Sequence, residues 1–140
     1  MSPGKDRLIF QQFPEFFGSR NTPRESLMFF GFECENGWFK LIKKLCEQLK
    51  ALKLRNFIVT QVKEKYGGLR FHYSGPSGSK TLIQKVATIV EEAEIKSLST
   101  CEICGQVGQH GEAYMWVYVR CQNHQPDGFQ PYRKIKSPKV

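Results

Sequence analysis

The sequence predicts an α+β protein: a helix, β-hairpin, helix body followed by a C-terminal zinc-ribbon or knuckle module. Three observations carry this expectation. Apolar residues recur at helical spacing over 37–53 and again over 80–98. Between those stretches lie two β-branched and aromatic runs joined through Gly67-Gly68. After them come Cys101-x2-Cys104 and Cys121-x2-His124, spaced as two metal knuckles. At 140 residues, with 40% hydrophobic and 13% aromatic content, the chain has the size and composition of one domain that needs no disulfides to build a core. Eleven Phe, five Tyr and two Trp exclude general disorder.

Residues 1–35 read as an aromatic N-terminal arm. Phe10, Phe13, Phe16, Phe17, Phe29, Phe30 and Phe32, broken by Pro3, Pro14 and Pro23, suit a chain that wraps with short turns over a core formed elsewhere. Thr22-Pro23-Arg24-Glu25 has the residues to open one helical turn, with Pro at its first position and Glu completing a capping box. Residues 36–100 form the α-β-β-α body. Asn36 is placed to cap a helix over 37–53 that turns Trp38, Leu41, Ile42, Leu45, Leu49 and Leu52 inward. Lys40, Lys43, Lys44, Glu47 and Lys50 fall on the opposite side. Strands are expected over 57–63 and 69–73, the second with Leu69, Phe71 and Tyr73 on one face, and the two glycines supply the hairpin's positive φ. A loop over 74–79 leads to the second helix, with Leu82, Val86, Val90, Ala93 and Leu98 inward.

Residues 101–124 form the metal module. Sixteen residues separate the two pairs. Each short bend brings two side chains to one side, and a hairpin between the bends brings the pairs together. Gly108 and Gly111 are expected to make its turn, and 113–120 to run as a strand into the second knuckle. The ligands are then Cys101, Cys104, Cys121 and His124, with His110 the nearby substitute if His124 does not bind. Four protein ligands leave no open position, which assigns Zn2+ a structural role. Cys34 and Cys46 stand outside this pattern and read as small buried core residues.

Enzymatic readings find little support. Zinc deaminases pair His-x-Glu with a later Pro-Cys-x-x-Cys. Here His110-Gly111-Glu112 follows the CxxC, and no Pro precedes that CxxC. An HNH-type nuclease needs a His base and further metal ligands between the knuckles, where only His110 and Glu112 are available. Gly75-Pro-Ser-Gly-Ser-Lys80 lacks the Walker spacing. The expectation is a non-enzymatic protein.

Charge points to a partner. The net charge is +8, from 21 basic and 13 acidic residues. The excess gathers over 36–55 and in the tail, residues 125–140, which carries three prolines and four basic residues and reads as a basic flexible segment. Lys40, Lys43 and Lys50 on the first helix are candidate contacts to an anionic partner. So are Lys63, Lys65 and Arg70 around the hairpin, where Tyr66, Phe71, His72 and Tyr73 interleave, and Arg133, Lys134, Lys136 and Lys139 in the tail. No apolar run reaches the ~18 residues of a membrane span. The polar start, Met1-Ser-Pro-Gly-Lys-Asp-Arg7, lacks a secretory stretch, so a soluble intracellular protein is expected.

Three stretches resemble an uncharacterised family of small phage and prophage zinc-knuckle proteins. They are Phe30-Gly-Phe-Glu-Cys-Glu-Asn-Gly-Trp-Phe39, Gln61-Val-Lys-Glu-Lys-Tyr-Gly-Gly-Leu-Arg-Phe71, and Cys101-Glu-Ile-Cys-Gly105 with Cys121-x2-His124. The resemblance spans about residues 30–124 and implies a phage-type accessory protein working in the cytoplasm of a bacterial host cell. It carries no activity and no catalytic residues with it. The partner expected for such a protein is a nucleic acid or a nucleic-acid-handling host protein. The alternative is an inhibitor of a host defence system, such as a CRISPR effector, acting by direct protein binding.

Overall fold

The computed structural model describes residues 1–18, 21, 24 and 26–133. It opens with a helix, α1 (Pro3–Gln12), and continues through α2 (Phe39–Lys50), a hairpin of β1 (Ile58–Lys65) and β2 (Gly68–Ser74), and α3 (Lys80–Ser97). Three strands follow, β3 (Gln109–Ala113), β4 (Trp116–Arg120) and β5 (Gln130–Pro131), paired antiparallel in the order β4-β3-β5. This is the expected α+β class, with the Cys3His cluster on the C-terminal sheet. No helix among the described residues is long and apolar enough to cross a membrane.

Helix α2 buries Ile42, Leu45, Cys46 and Leu49, with Trp38 buried just ahead of it, while Lys40, Lys44, Glu47 and Lys50 are exposed. It is shorter than its periodicity predicts. Asn36–Trp38 form a 3-10 turn instead, because Asn36 is not free to cap. Its side-chain oxygen accepts the Ser2 N–H at 2.8 Å, and the next N–H, from Gly37, is donated to the Glu102 carbonyl at 2.7 Å. Helix α3 starts on Ser79, whose hydroxyl accepts the Leu82 N–H at 3.2 Å. Val86, Val90 and Ala93 face inward as expected, but Leu98 lies past the helix end and is exposed.

Both edges of the β1–β2 hairpin are covered. The Ser97 hydroxyl accepts the Leu69 N–H at 2.9 Å and a Glu94 carboxylate oxygen accepts the Phe71 N–H at 3.0 Å, so α3 side chains satisfy the outer edge of β2. Along β1, the Val59 N–H is donated to the Phe16 carbonyl at 2.9 Å and the Glu33 N–H to the Val62 carbonyl at 3.0 Å. The N-terminal residues are thus more than an arm of short turns. Pro3 occupies the first turn of a ten-residue helix, where its missing N–H costs nothing. Ile9, Phe13, Phe16, Phe17, Met28 and Phe32 share one core with α2, the hairpin and α3. Ring pairs fasten it, Phe10 on Phe32 and Phe16 on Phe57, each at 5.2 Å. The turn expected at 22–25 lies, apart from Arg24, outside the described residues.

Both hairpins close through two-residue turns whose central residues have positive φ. Between β1 and β2 these are Tyr66 (52°) and Gly67 (81°), so of the two glycines expected there only Gly67 lies in the turn, and Gly68 opens β2. Between β3 and β4 they are Tyr114 (52°) and Met115 (64°), not Gly108 and Gly111. Those glycines serve close approach instead. A Cβ on Gly108 would stand 2.9 Å from the Cys101 nitrogen, and one on Gly111 would overlap the Gln130 carbonyl and reach 2.6 Å from the Phe129 ring. The packing at Gly111 also corrects the reading of the tail. Gln130 and Pro131 add a third strand beside Gly111 and Glu112, and the Tyr132 N–H is donated to the His110 carbonyl at 2.8 Å. Residues 134–140, with Lys134, Lys136 and Lys139, lie outside the described residues.

Candidate metal centre

The first knuckle leaves the end of α3 through Thr100. The Cys101 N–H is donated to the Gln106 carbonyl at 2.7 Å and the Gly105 N–H to the Cys101 carbonyl at 2.8 Å, which bends 101–106 back on itself. Gly105 takes a φ of 80° there. The second knuckle follows β4, where Cys121 leads into a 3-10 turn, Gln122–His124, and its carbonyl accepts the His124 N–H at 3.0 Å.

The ligand atoms of Cys101, Cys104, Cys121 and His124 all lie within 4.8 Å of one another. Zinc–ligand bond lengths set the edges of a tetrahedron at about 3.8 Å between thiolates and about 3.6 Å between thiolate and imidazole nitrogen. The Cys104 and Cys121 sulfurs are 3.6 Å apart, and His124 Nδ1 lies 3.8 Å from the Cys101 sulfur and 3.1 Å from that of Cys121. A disulfide needs sulfurs at about 2.05 Å, so the cysteines are free thiols. The cluster can hold a metal ion, and three thiols with one imidazole are a donor set that zinc accepts. Burial opposes ionisation of Cys101, but N–H groups of Cys121, Cys104 and Ile103 aimed at its sulfur prevail and lower its pKa to about 6. Burial instead raises the Cys34 thiol to about 12, and Cys46 is shifted upward for the same reason. Both are core residues far from thiolate chemistry at neutral pH.

The knuckle is seated on the body by residues whose roles are not evident from spacing alone. Gly37 packs on the Cys101-Glu102 backbone so closely that a Cβ there would overlap both carbonyl oxygens. The Trp38 indole N–H is donated to the Thr100 carbonyl at 2.9 Å. One Glu102 carboxylate oxygen accepts the Glu35 N–H at 3.1 Å, and the other pairs with the Arg120 guanidinium at 3.3 Å, both side chains nearly buried. Burial nevertheless keeps the Glu102 carboxyl above its usual range. Glu102 and Arg120 each adjoin a ligand cysteine and carry opposite charge, and that is the only signal of their pairing the sequence holds. His110 is occupied elsewhere, its Nε2 lying 3.0 Å from the Tyr66 carbonyl oxygen, and is no substitute ligand.

The described candidate cations lie in three places, on α2, on the β1–β2 hairpin and at Arg133. On α2, Lys40 is exposed without an ion pair among the described residues, whereas Lys43 pairs with Glu47 at 3.7 Å and Lys50 with Glu15 at 4.0 Å. On the hairpin, Lys63 and Arg70 stand directly opposite each other, and neither they nor Lys65 forms an ion pair among the described residues. Arg133 is exposed at the end of the described chain. Compared with known protein families, curated proteins and solved structures, the chain matches none.

Proposed function

We propose that this chain is a non-enzymatic, phage-type accessory protein, stabilised by one structural zinc, that binds nucleic acid through the outer face of its β1–β2 hairpin. The closed Cys3His set supports the structural role, since it offers four protein ligands and leaves no position for substrate. The observation that carries the binding reading is the Lys63–Arg70 cross-strand pair. Like charges directly opposite one another destabilise a hairpin. Glu33, bridged to Lys63 through the backbone, turns its carboxylate to Gln61 at 3.4 Å instead of neutralising the pair. An unneutralised pair continued by Lys65 is what phosphates require. The three stretches resembling phage proteins support the phage-type origin and a place in the bacterial cytoplasm.

The test is a salt titration of binding to a mixed pool of single- and double-stranded DNA and RNA. Replacing Lys63, Lys65 and Arg70 together by Gln should weaken binding and flatten the dependence of log K on log salt by about one for each phosphate no longer neutralised. Thermal stability should hold or rise, because a like-charge pair has been removed. No binding by the natural chain, or unchanged affinity and slope in the variant, contradicts the reading. Inhibition of a host protein would instead give a complex that survives nuclease and moderate salt.

A further inference from the structure

The tip of the first hairpin packs against the second hairpin just behind its turn. His110 Nε2 is 3.0 Å from the Tyr66 carbonyl oxygen, and Gly67 fits against Val117 with room for no more than 3.1 Å to an added Cβ. Around this junction the chain leaves large side chains in water: Tyr66 is 70% exposed, Tyr114 76%, Met115 99% and Trp116 62%. A cleft of about 400 Å³ between the two hairpins is lined by Glu64, Lys65, Tyr66, Met115, Trp116 and Val117. Turns of this type favour Asn and Gly, yet Tyr114 and Met115 occupy the second one, both at positive φ. Neither side chain is buried, so the core does not account for their bulk. Strained bulky residues kept at an exposed tip point to use by a ligand.

Charge selects that ligand's class. The Lys65 ammonium lies 5.6 Å from the Tyr66 ring centroid, and Lys63 and Arg70 continue the positive face along the same hairpin. The neighbouring acids are engaged internally. Glu64 accepts the Gly67 N–H at 2.6 Å and Glu112 accepts the Tyr132 hydroxyl at 3.2 Å. Aromatic faces beside cations suit bases joined by phosphates, and a duplex keeps its base faces stacked inside. We propose that the first hairpin's tip and the adjoining end of the second form a stacking platform, Tyr66 and Trp116, for the unpaired bases of a single-stranded nucleic acid. This rests on the nucleic-acid reading above and specifies its ligand.

The probe is a fluorescein-labelled oligothymidylate of about fifteen nucleotides, compared with its duplex, using the full chain. The natural protein should bind the single strand more tightly, and the strand should quench the emission of exposed Trp116 while Trp38, fully buried, stays unquenched. Trp116→Ala should weaken binding about tenfold without moving the melting temperature. Tyr114→Asn with Met115→Gly keeps the turn and relaxes its backbone, so it should raise the melting temperature while also weakening binding, since Met115 lines the cleft. If the natural chain binds neither strand nor duplex, the nucleic-acid reading and the platform fall together. If binding is present but equal for duplex, or unchanged in these variants, the platform alone is wrong. Variants that bind the oligonucleotide normally but lose a protein partner would make this junction a protein-docking surface and overturn the proposal.

Discussion

Cys104→Ala should lower the thermal unfolding midpoint by on the order of 10 °C or more, or leave the C-terminal third unfolded. Of the three cysteines in the cluster, Cys104 alone is exposed, so the truncation removes little packing and acts almost wholly on the metal. Structural zinc contributes about 10 kcal/mol or more of folding free energy in small finger peptides, comparable to the whole stability of an ordinary domain. Losing one of four ligands forfeits several kcal/mol of that, at roughly 3–5 °C per kcal/mol for a chain of this size. Differential scanning calorimetry with and without chelator is the measurement. The natural protein should fall to or below the variant's midpoint on chelation, and the variant should respond less than the natural protein does. Equal midpoints for the two proteins before chelation would show that Cys104 holds nothing.

Gly37→Ala should cost about 3 kcal/mol and speed the loss of metal to a chelator. Gly37 lies in a 3-10 turn and is not at positive φ, so alanine meets no backbone penalty there. The whole effect is steric, and it is severe because the added carbon meets two main-chain carbonyls, of Cys101 and Glu102, rather than a flexible side chain. Relief requires the knuckle to move off the 3-10 turn, breaking the Gly37–Glu102 and Trp38–Thr100 hydrogen bonds. Gly4→Ala is the control. Gly4 lies in α1 with nothing within 4 Å of an added Cβ, and alanine should be neutral or stabilise by up to about 1 kcal/mol. A natural melting temperature in Gly37→Ala would mean that body and knuckle are not packed as described.

The parts of the fold legible in the sequence are those set by local periodicity or spacing. Helix α3 appears within a residue of its expected bounds, because Val86, Val90 and Ala93 repeat on one face and Ser79 marks the start. The ligand set is legible for the same reason, as two pairs at knuckle spacing. What the sequence hides depends on distant partners. Gly111 reads as a turn residue, but a glycine required by the approach of Gln130 and Phe129 leaves the same mark in a sequence as one required by positive φ. The true turn, Tyr114-Met115, has none of the residues such turns favour, so no composition rule could place it. Helix α1 is hidden because it buries only Ile9 along its length, leaving almost no periodic signal beyond Pro3. Asn36 looks like a cap, but its side chain serves Ser2 from the other end of the core, a contact of long sequence separation. Glu102 and Arg120 complete the candidate site in the same way, through a buried pair that only folding brings together.

The most direct test of the proposed zinc-stabilised fold is the metal content of the purified chain, by elemental analysis together with native mass spectrometry. One zinc per chain is expected, with Cys101, Cys104 and Cys121 protected from alkylation until a chelator is added, and Cys34 and Cys46 protected until the chain unfolds. Zinc well below one equivalent in a protein that keeps its fold and melting temperature after chelation would contradict it.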